Sequence, residues 1–98
     1  MANQRTRVQN VNHPDYEGFV DTTKYEAAKT ALLAILPTEP PGLTQSEMMA
    51  AIAIEIDQTL FPGGQKSGWW MKTVQLDLEA KGVITRTSDK PLRWHHTS

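Results

Sequence analysis

The sequence predicts an α+β fold, mainly α, in which three helices are followed by a two-stranded β-hairpin. Three observations predict it. Two Thr-x-x-Glu sequences open apolar patterns of helical period, a glycine at position 82 follows the third such pattern, and a run rich in β-branched residues begins directly after that glycine.

The first helix is expected over Lys24 to Leu36. Thr23-Lys24-Tyr25-Glu26 has the form of a capping box, in which a hydroxyl and a carboxylate each satisfy a backbone N–H that the first helical turn leaves orphaned. Tyr25, Ala28, Leu32, Ile35 and Leu36 share one face, and Pro37 ends the helix because its ring cannot continue the hydrogen bonding. The stretch PTEPPG is then a loop. A second capping box, Thr44-Gln45-Ser46-Glu47, opens a helix with Met49, Ile52, Ala53, Ile56 and Leu60 on one stripe. Ile52, Ile54 and Ile56 also alternate as a strand would, but the cap, the Met/Ala-rich lead-in and the length favour a helix. Phe61-Pro62-Gly63-Gly64 ends it.

The third helix is expected from Gly68 to Lys81, with Trp70, Met71, Val74 and Leu78 toward the core and Gly82 as the left-handed residue past its end. Val83 to Thr87 then reads as a strand, Ser88-Asp89-Lys90-Pro91 as a turn, and Leu92 to His95 as the return strand.

Ninety-eight residues of 39% hydrophobic content suit one domain with one core, placed here at residues 14–98, with the polar residues 1–13 as a mobile tail and the fold beginning near Pro14. Without cysteine, neither a disulfide nor a thiolate-bound metal supports the fold. The opening MANQRTRVQN has no apolar signal core, and no apolar run is long enough to span a bilayer, so a cytoplasmic protein without membrane contact is expected. The formal net charge of −1 is unevenly spread, at −4 over residues 1–61 and +3 over residues 62–98. Such asymmetry marks a candidate basic face.

Three helices and a hairpin, joined through Leu78-Glu79-Ala80-Lys81-Gly82-Val83-Ile84, resemble the winged helix-turn-helix superfamily, from Thr23 to His95. The resemblance implies a three-helix winged helix-turn-helix whose third helix enters the DNA major groove and whose C-terminal hairpin is the wing. Phe61-Pro62-Gly63-Gly64 with Gly68-Trp69-Trp70-Met71-Lys72-Thr73-Val74-Gln75-Leu76-Asp77-Leu78-Glu79 also resembles a family of small uncharacterised single-domain bacterial proteins. That likeness implies a stand-alone protein and assigns no activity.

The candidate contacts follow from this arrangement. Lys66 and Ser67 precede the third helix, where N–H groups and a lysine can grip a phosphate. Lys72, Thr73 and Gln75 are placed on its outward arc, with Gln75 suited to adenine and Lys72 to guanine or phosphate. Glu79 and Asp77 nearby would oppose a phosphate backbone. Arg86, Lys90 and Arg93 form a basic wing, although charged hairpin edges also serve to prevent aggregation. Trp69 and Leu76, seven residues apart on one stripe, are placed as a packing surface for the N-terminal segment around Phe19 and Val20, or for a partner subunit.

Catalytic and cofactor chemistry find little support. Gly63-Gly64-Gln65-Lys66-Ser67 superficially resembles a phosphate-binding loop, but a Walker A loop needs glycine where this chain has Gln65 and Leu60. Adjacent His95 and His96 on a strand face opposite ways, which argues against shared metal ligation. No nucleophile elbow or paired acid surrounds a serine or threonine. The expectation is a regulatory DNA-binding module without catalytic activity or cofactor, bound to double-stranded DNA. The alternative is a winged-helix protein-interaction or dimerisation module, acting as a homodimer or on another protein through Trp69 and Leu76.

Overall fold

Residues 5–8, expected within a mobile tail, form the first strand, and residues 1–3 of that tail lie outside the described residues. The computed structural model describes residues 4–13, 15–88 and 90–97. Strand β1 (Arg5–Val8) pairs antiparallel with β2 (Gly18–Asp21), Val8 opposite Gly18 and Arg5 opposite Asp21. Val8 is 1% exposed and belongs to the core, which corrects the mobile-tail expectation for this segment. Pro14, the expected start of the fold, and Asp89, the acid of the expected C-terminal turn, lie outside the described residues.

Helix α1 (Thr22–Ile35) begins directly after β2, and its N-cap is Asp21 and not Thr23. The hairpin holds Asp21 extended, so its carboxylate meets the Lys24 N–H at 2.9 Å and the helix starts two residues earlier than Lys24. Asp21→Ala should therefore cost about 0.5–2 kcal/mol in urea denaturation. Thr23→Ala should stay within about 0.5 kcal/mol, as for an exposed first-turn residue. The reverse order would restore Thr23 as the cap.

Strand β3 (Leu43–Thr44) leads into α2 (Gln45–Glu55) through the expected capping box. The Glu47 N–H donates to the Thr44 hydroxyl at 3.2 Å, and the Thr44 N–H donates to the Glu47 carboxylate at 2.8 Å. The Thr44 backbone N–H first, and then the Thr44 hydroxyl, hold the Glu47 carboxyl below its usual range. The buried stripe runs through Met48, Ile52 and Ile56, while Met49 is 40% exposed. Met49 was expected inside, but it sits about 100° around the helix from Met48. Ile56 closes the helix as its C-cap, so Leu60 reaches the core from the following loop.

After a short 3₁₀ turn at Pro62–Gly64, helix α3 (Ser67–Ala80) starts from Lys66, whose φ of 62° is left-handed and whose side chain caps nothing. Met71, Val74 and Leu78 are buried as expected, and Trp70 packs edge-on against Phe61 with ring centroids 6.0 Å apart. Gly82, at φ 75°, turns the chain into β4 (Ile84–Arg86), which pairs antiparallel with β5 (Arg93–His96). Strand β3 adds to the other edge of β5, for the order β3-β5-β4. Gly42, at φ 86°, is needed there because a Cβ would lie 2.3 Å from the Trp94 carbonyl oxygen.

The architecture is thus a small α+β fold with three α-helices and two small sheets among the described residues. The N-terminal hairpin and β3, which makes the expected two-stranded C-terminal hairpin a three-stranded sheet, are what sequence periodicity missed, because strands of two to four residues are too short to establish an alternation.

Candidate nucleic-acid interface

Both flanks of α3 are covered. On one side the β4–β5 sheet lays Trp94 and Arg86 against Glu79. Its carboxylate accepts from Trp94 Nε1 at 2.7 Å, Arg86 Nε at 2.8 Å and Gln75 Nε2 at 3.1 Å. On the other side Asp77, fully buried, accepts from the Gln9 N–H at 2.8 Å, from Lys81 Nζ at 2.8 Å and from the Tyr25 hydroxyl. Burial first, and then Asp77 itself, pushes the Tyr25 hydroxyl well above its usual range. Lys81 also stands 5.8 Å over the Tyr25 ring.

What remains open is a narrow arc bearing Trp69, Lys72, Thr73, Leu76 and Ala80. Trp69 is 57% exposed, Lys72 is exposed, and Thr73 and Leu76 are half-buried. Gln75 is not on this arc. It is 2% exposed, its amide donates to Glu79, and its Oε1 has no partner, so its expected place as a base reader is corrected. The reason is that the core face of α3 is wider than its helix–helix contacts, since the sheet extends it around to Gln75 and Glu79. Ser67, 6% exposed, also faces inward and does not join a surface phosphate site.

The expected basic wing is partly neutralised. Arg86 is paired with Glu79, lies 5.9 Å from the Trp94 ring centre and donates through Nη2 to Asn12 Oδ1 at 3.1 Å. Arg93 reaches the Gly42 carbonyl at 3.3 Å and Glu47 at 3.4 Å. These contacts correct the picture of two free wing arginines. Lys66, Lys72 and Lys90 are exposed and make no ion pair among the described residues. Lys90 shares a cleft of 330 Å³ with Gln45 and Ser46 at the start of α2.

Residues that sequence reasoning did not single out cross this face. The Val11 N–H donates to the Leu76 carbonyl at 3.3 Å, between the contacts of Gln9 with Asp77 and of Asn12 with Arg86. The N-terminal segment therefore meets Leu76 through Val11, and not through Phe19, which is 56% exposed. The turn-forming run Asn10-Val11-Asn12-His13 was the available signal, its Asn10 carboxamide accepting from the Asn12 N–H at 2.8 Å.

Elsewhere the chemistry is structural. His96 Nε2 meets the Leu33 carbonyl at 2.8 Å and His95 Nδ1 the His96 carbonyl at 2.7 Å. No group of three or more His, Cys, Asp or Glu residues able to hold a metal occurs among the described residues. The acids Glu26, Glu55 and Asp57 line a 440 Å³ groove with Ala27, Thr30 and Ala31, away from the residues of the α3 arc. Among the described residues no helix is long and apolar enough to cross a membrane.

In comparisons with known proteins, residues 5–94 match the model of DUF6958, a family of unknown function. No curated protein and no solved structure gives a significant match.

Proposed function

We propose that this chain, which belongs to the DUF6958 family of unknown function, is a winged-helix DNA-binding module of regulatory character without catalytic activity. The observation that carries the reading is the open arc of α3, which bears Lys72, Thr73 and Trp69 and no carboxylate, because Asp77 and Glu79 are folded inward. The two acids that weigh against DNA in the sequence thus do not face the duplex. The outward arc of α3 enters the major groove along its length, Lys66 and Lys72 meet phosphates along it, and Lys90 does so from the hairpin that follows Gly82. A cysteine-free chain suits a reducing cytoplasm.

With Lys66, Lys72 and Lys90 as its phosphate contacts the affinity is modest and electrostatic. Fluorescence anisotropy on random duplex should give a log–log salt slope of magnitude about 2.7, at about 0.9 per phosphate neutralised. Replacing Lys66, Lys72 and Lys90 together with Gln should abolish binding at 100 mM salt while leaving the thermal unfolding midpoint near that of the parent. Absence of binding to random and genomic duplexes at low salt sinks the reading.

A second reading has its own observation. Trp69, 57% exposed, stands beside Gly68, where a Cβ would lie 3.9 Å from the Met49 methyl, and Met49 is 40% exposed. This apolar strip suits a protein partner or a second copy. Trp69→Ser with all lysines intact separates the two, since it disrupts self-association or partner capture and leaves the salt-dependent part of duplex binding.

A further inference from the structure

We propose that residues 9–12 form a displaceable strap that holds the duplex-binding face of α3 in a low-affinity state. The proposal rests on the DNA reading above and concerns its regulation. Around α3, Asp77 lies about 100° to one side of Leu76 and Glu79 about 60° to the other. The strap touches these three places in order. Gln9 donates to Asp77, Val11 to the Leu76 carbonyl, and Asn12 accepts from the Arg86 that Glu79 holds. Asn10 to His13 is a turn, closed by the His13 N–H on the Asn10 carbonyl at 3.0 Å, and the contacts on Asp77, Leu76 and Arg86 place the segment from flank to flank over the C-terminal part of the outward arc. Gln9, Asn10 and Val11 line a shallow cleft with Ala80 on that same arc. A duplex seated along α3 and this segment compete for one surface.

The strap is firmly held at one end only. Val8 is in the core and Gln9 is tied to the buried Asp77, whereas the Asn12–Arg86 contact is exposed. Release past Gln9 leaves the hairpin docked. It also exposes Arg86 Nη2, whose neutral amide acceptor a phosphate oxygen replaces with a charge-assisted bond. The closed state thus binds through the three lysines alone, and Arg86 becomes a fourth phosphate contact only in the open state. The apparent dissociation constant rises in inverse proportion to the fraction of molecules in which the strap is open.

The natural chain has no cysteine, so Val11→Cys with Ala80→Cys introduces the only two thiols, which a short bismaleimide joins to lock the strap. Duplex anisotropy is measured on the locked and the unjoined double variant, with Asn12→Ala in the otherwise natural chain as the loosened form. Locking should weaken binding at least tenfold, and Asn12→Ala should tighten it several-fold with a steeper salt slope. Equal affinity of all forms overturns the strap and leaves the DNA reading intact. Tighter binding by the locked form makes the segment part of the binding surface and likewise overturns it. Absence of binding by every form, the natural chain included, overturns both.

Discussion

Asp77→Ala is expected to destabilise the protein by about 2–6 kcal/mol, because the Tyr25 hydroxyl and the Gln9 N–H each lose a charged acceptor, at about 1–3 kcal/mol apiece, while the exposed Lys81 turns to solvent. The Tyr25 hydroxyl, the Gln9 N–H and the Lys81 ammonium all converge on this carboxylate from three different parts of the chain. A domain of this size has a total stability of roughly 5–15 kcal/mol, so the loss is a large fraction of it. Urea denaturation followed by circular dichroism measures it, and a loss below 1 kcal/mol would show that the network does not hold the N-terminal hairpin to α1 and α3. Tyr25→Phe keeps the ring and removes one donor, so its cost should be nearer 1–3 kcal/mol. Its pH dependence has a definite sign. The folded-state pKa of Tyr25 lies above the unfolded value, so the contribution is complete below about pH 10 and is lost as the pH rises past it. The parent should therefore lose stability more steeply above pH 10 than Tyr25→Phe does.

Glu79→Ala is expected to cost about as much, roughly 3–5 kcal/mol, and to act on the other flank of α3. Its side chain is 4% exposed and accepts from Arg86, Trp94 and Gln75. Removing it leaves a guanidinium without its counter-charge, an indole N–H without an acceptor, and a Gln75 side chain with neither end bonded, since Oε1 already has no partner. Amide exchange should rise across β4 and β5 before it rises in α1, and Trp94 fluorescence should report the sheet lifting from the helix. Glu79→Gln, which keeps an acceptor oxygen and loses the charge, should fall between Ala and the parent. An outcome within 0.5 kcal/mol for Ala would mark Glu79 as the solvated acid that its sequence position suggests.

Polar residues on α3 divide the legible from the illegible. Val74 and Leu78 announce their burial by being apolar at helical spacing, and a partner at any distance in the chain satisfies them. Gln75, Asp77 and Glu79 do not, since a polar side chain is buried only where specific donors meet it. Those donors lie far away in sequence: 52 residues separate Tyr25 from Asp77, and 68 separate Gln9 from Asp77. The expected outward arc, which included Gln75 and Glu79, was therefore misplaced around the helix while its helix was correctly assigned. The same holds for the wing cations. Arg86, Lys90 and Arg93 are equivalent as charges in the sequence, and only packing distinguishes the exposed Lys90 from arginines bonded to Glu79 and Glu47.

The sequence by itself determined whatever depends on neighbours within one turn or one period. The Thr44 capping box, the termination of α3 at Gly82 and the passage from helix to paired strands after it are all of this kind. Tertiary structure decided which of two competent caps starts α1, because the β1–β2 hairpin holds Asp21 extended one residue before the helix. It also decided which charges are free, and that residues 9–12 lie across α3. These depend on contacts between segments 50 to 75 residues apart, whose energies exist only once the chain has brought them together.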